Sequence, residues 1–184
     1  MPSYHSVFNQ ITYPTICAIP YIEFSQNKIP DLDSDKLKLP LNELDLDIID
    51  EALIYFRANV LFKNFPIKGD ADKLLIYITV FIAKCLEVAN NQEPEKAKTL
   101  MKNLVDDCEW SPVYKAHFLN ALLTVKQNEV NELQLYLKQV RKEVVVRLSF
   151  VLFDSDSKTL DLKYWLGFAK RKFMGFDMPN LKNK

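Results

Sequence analysis

The chain has 184 residues, of which 48% are hydrophobic and 26% are charged, values that are ordinary for a globular domain with a sizeable core. Lysine plus arginine equals aspartate plus glutamate at 24 each, so the net charge does not indicate a nucleic-acid partner or an acidic substrate. Only three glycines occur, which excludes a glycine-rich phosphate loop and argues against tight β-hairpins, so a helical fold is expected.

Residues 1–46 differ from the rest of the chain, because a proline recurs about every ten residues and prevents a long helix. Apolar residues such as Ile16, Ile19, Ile22 and Phe24 make this segment too hydrophobic for a solvated tail. We predict an extended N-terminal arm over 1–46 that packs on the following domain or on a partner. A partly disordered leader is the alternative.

The first predicted helix runs from about Asp47 to Phe65. Asp47 is a suitable N-cap, and acidic residues follow in the first turn, where the helix dipole favours them. Pro66 and Gly69 then interrupt the chain. The helix is too hydrophobic for a surface element and contains no catalytic pair, so we expect it in the core.

The second predicted helix spans residues 70–89, with Asp70 as its cap. Between Leu74 and Ala89 apolar side chains point in nearly every direction, which is typical of a buried helix. A buried strand over 76–81 is the alternative, since periodicity alone does not separate the two. Length and the acidic beginning favour the helix, and we place it at the centre of the fold.

Two shorter helices are predicted next. Pro94 suits a first helical position and begins an apolar stripe that continues to Cys108. Ser111 followed by Pro112 indicates the start of another helix, over 112–126.

A long helix is predicted to open at Asn128 or Asn131. Leu135 and Val146 lie on the side opposite its main apolar stripe, which suggests contact with two neighbours. The main stripe consists of Val130, Leu133, Leu137, Val140, Val144, Leu148 and Val151.

A basic aromatic helix over about 160–174 follows a polar break. Trp165, Phe168 and Lys172 share one side of it, and Lys170 and Arg171 extend a basic cluster. Such a helix suits an anionic membrane surface, a partner groove or an acidic partner surface. The alternative is a core helix with a solvated basic face.

Together these elements predict an all-α fold. We expect a compact single domain of about five to six helices around a central buried helix, spanning 47–176. An extended N-terminal arm over 1–46 precedes it, and a polar tail over 177–184 follows.

Residues with catalytic or metal-binding chemistry are few. Cys17, Cys85 and Cys108 are odd in number and widely spaced, so neither a disulfide framework nor a metal knuckle follows. His5 and His117 lack metal-ligand spacing. We therefore predict no enzymatic activity, no metal and no cofactor.

Other special segments are also absent from the sequence. The aspartates at 31–35 and 154–156 resemble the start of a calcium loop but lack its glycine and glutamate. The first residues lack the pattern of a signal peptide, and the longest apolar run is too short to span a bilayer. We expect a cytoplasmic protein without a transmembrane segment.

Several segments, in this order, resemble the 21-kDa subunit (subunit 3) of the actin-related protein 2/3 complex. The ordered set covers most of the chain and is more specific than any single motif. The segments are residues 1–6, 47–65, 71–79, 136–143, Arg147-Leu148, 151–154, Tyr164-Trp165 and 170–174.

The resemblance implies a non-catalytic structural role in actin filament nucleation and in branched actin networks. It implies an all-α fold with one helix surrounded by others, packing against actin-related protein 3 and stabilisation of the activated branch. ATP binding then belongs to the actin-related subunits. The expected partners are the other subunits of the complex and, through them, the actin filament, with localisation in the cytoplasm and the actin cytoskeleton.

One segment departs from the family pattern. Leu119-Asn120-Ala121 matches an extended family segment, but residues 113–118 lack the glycines that usually precede it. Residues 112–126 therefore form either a helix or an extended loop.

The predicted partner interface has two parts. Pro2, Tyr4 and His5 lie in an arm whose prolines leave them few local neighbours, so we expect them to dock onto the domain or a partner. Lys170 and Arg171 provide a second, charge-assisted contact with an acidic surface. A free adaptor that binds an anionic membrane through the basic helix is the alternative function.

Overall fold

The structure is a computed structural model in which a mostly helical fold carries a small two-strand sheet. It describes residues 3–28, 46–62, 64–107, 110, 123–154, 165 and 167–168. The elements are a 3₁₀ turn at Val7–Gln10, strands β1 (Thr15–Ile16) and β2 (Ile19–Pro20), helices α1 (Ile48–Asn59), α2 (Asp70–Ala89), α3 (Pro94–Asn103) and α4 (Val130–Ser149), and a π-helical turn at Phe150–Asp154.

Helix α2 is the central element. It contacts α1, α3, α4, β2 and the 3₁₀ turn, and every residue from Leu74 to Leu86 is buried. The helical prediction for 70–89 is confirmed, and the alternative strand over 76–81 is wrong. The N-cap is Gly69 rather than Asp70, which is the first residue of the helix. Within this apolar surface Thr79 donates its hydroxyl hydrogen to the Leu75 carbonyl oxygen at 2.7 Å.

Helix α1 begins where the sequence predicts and ends earlier. Asp47 forms a capping box with Asp50, which satisfies the first backbone N–H groups. The helix ends at Asn59, about a turn and a half before the predicted Phe65. Pro66 disfavours helical backbone in the residue before it, and the Asn59 side chain is bound to the N-terminal segment.

Helices α3 and α4 cover another side of α2. Pro94 is the first residue of α3, as predicted. Glu129 is the N-cap of α4, and all seven residues of its predicted apolar stripe are buried. Helix α4 contacts α1, α2 and α3, so it meets more than one neighbour, as predicted. Leu135, at 65% exposed, and Val146, at 36%, are not the residues that make these contacts.

The N-terminal segment contains the sheet that the all-α prediction missed. Strands β1 and β2 pair antiparallel, with Ile16 opposite Ile19, and the two-residue turn consists of Cys17 and Ala18. Both have positive φ values, 51° and 69°, which such turns require and which glycine usually supplies. The scarcity of glycine wrongly argued against a tight hairpin, because Cys17 and Ala18 occupy the positive-φ positions that glycine usually fills.

Contacts with the rest of the molecule secure this turn. The Cys17 amide donates to a Glu129 carboxylate oxygen at 2.7 Å, and the Cys17 carbonyl accepts from Thr124 at 3.1 Å. Lys73 of α2 donates its ammonium hydrogen to the Ala18 carbonyl at 3.1 Å. These bonds offset the cost of left-handed backbone.

Several predicted elements lie wholly or partly outside the described residues. Residues 123–126 are not helical, so the predicted helix over 112–126 is wrong at its end, while 111–122 lie outside. Of the predicted helix over 160–174, Trp165, Gly167 and Phe168 are described. The helix count, the extended arm over 1–46 and the division at 47–176 and 177–184 stay predictions.

A buried arginine joins α4 to the beginning of α1. Arg147 is fully buried, and its guanidinium donates to Asp47 at 2.6 and 2.7 Å and to Asp50 at 2.7 Å. It also donates to Glu143 at 2.8 Å and to the Ser25 carbonyl at 2.6 Å. Burial by itself would raise the pKa of Asp47, but the bonds from Arg147 hold that pKa below its ordinary value.

We call Arg147, Asp47, Asp50 and Glu143 the Arg147 cluster, and this cluster also binds the segment that follows the hairpin. The backbone amides of Asn27 and Lys28 donate to the Glu143 carboxylate at 2.7 and 3.0 Å. The Lys28 ammonium lies 2.8 Å from Asp50. Three elements therefore meet at one set of buried charges.

Replacing Ile78 with aspartate should prevent folding. Ile78 has no exposed surface, so the new carboxylate would be buried without a partner, at a cost comparable to the whole free energy of unfolding, roughly 5–15 kcal/mol. Far-UV circular dichroism and the yield of soluble protein measure the effect. Leu135→Asp, at an exposed position of α4, is the control and should fold normally. An Ile78→Asp chain that melts like the parent would contradict the central position of α2.

Replacing Arg147 with methionine should destabilise the chain by roughly 3–5 kcal/mol, because three buried carboxylates lose their shared cation. Urea unfolding gives the change in free energy. Lys138→Met is the matched control, since the Lys138–Asp106 pair is exposed and should contribute at most about 1 kcal/mol. Equal effects of the two substitutions would show that the Arg147 cluster does not hold the elements together.

Candidate partner interface

Residues 3–9 lie across the N-terminal half of α2 and along α1. The Ser6 hydroxyl accepts from the Phe8 amide at 3.2 Å, which caps the 3₁₀ turn and bends the chain toward the helices. The backbone of Tyr4 exchanges two hydrogen bonds with the side chain of Asn59, at 3.0 and 2.8 Å. The N-terminal segment is therefore bound to the helices on both sides of Ser6.

Two buried carboxylates supply most of this binding. Glu51 of α1 is 1% exposed and accepts from the Ser6 hydroxyl at 2.6 Å and from the Val7 amide at 2.7 Å. Burial and, to a smaller extent, the nearby Asp72 carboxylate outweigh the lowering effect of the bonds from Ser6 and Val7, and the pKa of Glu51 is raised to about 7.

Asp72, in the first turn of α2, is the second carboxylate. One of its oxygens accepts from the Ser6 amide and from the Asn9 side chain, both at 2.9 Å. The other accepts from the Lys68 amide at 2.9 Å and lies 2.8 Å from Nδ1 of His5. We call Glu51, Asp72 and the residues 5–9 that they bind the N-terminal clasp.

Asn9 also caps α2 from outside the helix. Gly69 has no side chain with which to cap, and Oδ1 of Asn9 accepts from the Asp72 amide at 3.2 Å instead. A Cβ atom at Gly69 would lie 2.4 Å from that oxygen, so the absence of a side chain makes room for Asn9. The φ of Gly69 is −161°, an extended value, and the requirement for glycine is therefore steric.

Tyr4 and His5, two of the predicted interface residues, differ in what they offer a partner. The Tyr4 ring is 43% exposed and stacks on Tyr55 with ring centroids 4.9 Å apart. The His5 ring is turned inward, with Asp72 on Nδ1, the Ser3 hydroxyl on Nε2, and Phe65 against its face.

Two exposed apolar residues lie close along the chain to residues that bind the N-terminal segment. Leu61 is 45% exposed and lies two residues after Asn59, which holds the Tyr4 backbone. Ile67 is 42% exposed and precedes Lys68, which is bound to the same carboxylate as His5. We call Tyr4, Tyr55, Leu61 and Ile67 the Tyr4 surface.

Pro2, Lys170 and Arg171, the other predicted interface residues, lie outside the described residues. The two described aromatic residues of the predicted basic helix pack inward. Trp165 is 1% exposed and stacks on Phe56 at 5.7 Å, and Phe168 meets the edge of the same ring at 6.4 Å. Trp165 and Phe168 of the predicted basic helix thus pack against α1, which favours a core helix over a helix with a free membrane-binding face.

The described part of the chain offers little that suits catalysis. No three of its histidine, cysteine, aspartate or glutamate side chains are arranged so that they could hold a metal ion. None of its helices is long and apolar enough to cross a membrane. A cleft of about 150 Å³ lies beside α4, and no cysteine, histidine or serine lines it. Cys85 is buried, and burial raises the pKa of its thiol, so it packs as a small apolar residue.

The clasp was missed by the sequence analysis, which assigned acidic residues near helix starts to the helix dipole. Asp72 and Glu51 do lie near helix N-termini, but both are buried and bound to residues more than 40 positions away. A carboxylate beside a nearly continuous apolar run was the available signal, because such a group needs partners when it is buried.

Comparison with known proteins places the chain among subunits of one assembly. The family model of the ARP2/3 complex ARPC3 (21 kDa) subunit matches residues 1–178. The probable actin-related protein 2/3 complex subunit 3 of Caenorhabditis elegans is 33% identical over 178 residues, 95% of this chain and 94% of the relative. Subunit 3 of Schizosaccharomyces pombe is 34% identical over 178 residues, with 95% and 98% covered. Subunit 3 of Arabidopsis thaliana is 39% identical over 139 residues, with 73% and 79% covered.

Substituting serine for Gly69 should destabilise this chain, although serine is usually a better N-cap than glycine. The new Cβ would displace Asn9, which now caps the helix. In an Asn9→Gly background the conflicting atoms are gone, and the serine should then be neutral or stabilising by up to about 1 kcal/mol. Urea unfolding of the four chains measures the coupling. Additive effects of the two substitutions would contradict the proposed cap.

Proposed function

The chain belongs to the family of the ARP2/3 complex ARPC3 (21 kDa) subunit, and on that basis we propose that it supports actin filament nucleation and branching by packing against actin-related protein 3. Members of this family are structural subunits of the complex. The observation that supports the proposal most is the match of the family model to residues 1–178, and alignments with two relatives cover nearly their whole length. We further propose that the chain is non-catalytic and acts in the cytoplasm, at the actin cytoskeleton.

The Tyr4 surface is the proposed contact with actin-related protein 3. Tyrosine is enriched in interfaces, because its ring buries a large area at a small cost in conformational entropy. The Tyr4 ring is held by Tyr55 beneath it and by Asn59 at its backbone, so little further ordering is needed on binding. Burial, with smaller contributions from the charges of Glu51 and Tyr4, raises the pKa of Tyr55 to about 12, so its hydroxyl stays a hydrogen-bond donor at neutral pH.

The remaining predicted interface residues complete the proposal. His5 orients the segment through Asp72, and Pro2 would extend the surface beyond Tyr4. Lys170 and Arg171 would meet acidic side chains of a partner, each exposed pair contributing roughly 0–1 kcal/mol.

The alternative function is a helical adaptor that binds an anionic membrane or an acidic partner through the predicted basic helix. The inward packing of Trp165 on Phe56 weakens it, because that aromatic side is engaged with α1. Phosphatidylserine vesicles test it directly. Recovery of the free chain with these vesicles at physiological salt would favour the adaptor.

Affinity purification of the tagged chain at moderate salt tests the proposal. We expect two actin-related proteins and the other subunits in stoichiometric amounts by mass spectrometry. Tyr4→Ala combined with Tyr55→Ala should lower the affinity for the complex roughly 5–30-fold, the loss expected for removal of an aromatic anchor. Circular dichroism should show that this variant is folded.

Leu135→Ala is the matched control, since Leu135 is an exposed apolar residue on α4 and should not matter. Recovery of the parent chain as a lone monomer would contradict the function. Normal assembly of the double variant would leave the function standing and place the interface elsewhere.

A further inference from the structure

Glu51 is a buried carboxylate bound by neutral hydrogen-bond donors. Among the described residues no lysine, arginine or histidine forms a salt bridge with it, and its two bonds come from a hydroxyl and an amide of the N-terminal segment. The carboxylate of Asp72 faces it from α2 and disfavours a second negative charge at the same place. Release of residues 5–9 from the helices would open Glu51 to water.

We propose that the N-terminal clasp is a proton-coupled latch, in which docking of residues 5–9 onto α1 and α2 is accompanied by uptake of a proton at Glu51. Mild acidification then tightens the docked state, and mild alkalinity loosens it.

The direction follows from the two states of Glu51. In the docked state its pKa is about 7, raised chiefly by burial, whereas a solvated glutamate has the ordinary value of 4.5. A carboxyl group whose pKa is raised in the docked state favours docking when it is protonated. This contribution is full below pH 4.5 and is lost as the pH rises to about 7. Between pH 8 and pH 6 the docking equilibrium should therefore shift by about tenfold.

Other titratable groups lie around Glu51 on the N-terminal segment, α1 and α2. From the N-terminal segment, Tyr13 faces it, and burial and the charge of Glu51 raise the pKa of this phenol. Tyr55 lies beside it on α1, and its pKa is far above the range concerned. From α2, Asp72 faces it, with His5 on the far side of that carboxylate.

On the α4 side, Arg147 is bound to Asp47 and Asp50 rather than to Glu51. His5 is bound to Asp72 within the clasp, so a variant of His5 serves as a separate control.

The latch bears on the partner contact, since Tyr4 directly precedes the clasp. A loosened clasp would release the Tyr4 ring from Tyr55 and so disorganise the Tyr4 surface. This consequence rests on the proposed function, whereas proton coupling is a property of the chain alone.

Hydrogen exchange on the 184-residue chain tests the latch without any partner. The Ser6 and Val7 amides, which donate to Asp72 and Glu51, report opening of the clasp. After correction for the pH dependence of the chemical exchange rate, their protection factors should be about tenfold higher at pH 6 than at pH 8. Amides in the middle of α2 should be more strongly protected than those of Ser6 and Val7 at both pH values, since they open only when the whole chain unfolds. Equal protection of Ser6 and Val7 at the two pH values would overturn the proposal, whatever the chain binds.

Three variants test whether Glu51 is the group that takes up the proton on docking. Glu51→Gln is the neutral isostere and should give equal, high protection at both pH values. Asp70→Asn removes an exposed acid at the start of α2, whose partner is Lys73, and should retain the tenfold ratio. His5→Gln should retain it as well. Loss of the ratio in His5→Gln, or its persistence in Glu51→Gln, would show that Glu51 is not the coupled group.

Discussion

Helix α2 has no face that can be left to water, and this constraint determines how the rest of the chain is arranged. A helix with apolar side chains in every direction needs neighbours on every side, because exposure of its surface would forfeit about 25 cal/mol per Å². Helices α1, α3 and α4 supply only part of that cover. Among the described residues, the N-terminal segment adds cover by burying Ile16, Ile19 and Ile22 in the same core, and Trp110 packs against α2 as well.

Covering α2 with an irregular segment brings polar backbone groups into the interior. Buried carboxylates supply the hydrogen-bond acceptors that these groups need. Irregular segments present amides without partners in their own structure, so acceptors from the helices are needed. Glu51 and Asp72 provide them at one end of the segment, and Glu143 and the Arg147 cluster provide them at the other. Buried carboxylates are costly alone, but each here accepts two or more hydrogen bonds.

The parts of the fold that depend on local pattern could be predicted from the sequence. The apolar stripe of α4, the cap at Asp47 and the all-round apolar surface of α2 are each visible in consecutive residues. The hairpin could not be predicted, since Cys17 and Ala18 adopt positive φ only because Glu129, Thr124 and Lys73 hold the turn in place. The clasp depends likewise on pairs such as Ser6–Glu51, 45 residues apart, for which one sequence carries no signal. Of the interface residues, Tyr4 was identifiable as an aromatic side chain without local neighbours, whereas the inward role of His5 follows only from Asp72.

The N-terminal segment is part of the core that α2 requires. Thermal unfolding of a chain that lacks residues 1–28, followed by far-UV circular dichroism beside the full chain, tests this most directly. Removal of this segment exposes the side of α2 that meets β2 and the 3₁₀ turn. We predict that the shortened chain loses its cooperative transition and binds a dye for exposed apolar surface. A cooperative transition at the temperature of the full chain would contradict the need of α2 for the N-terminal segment, because α2 would then be covered without it.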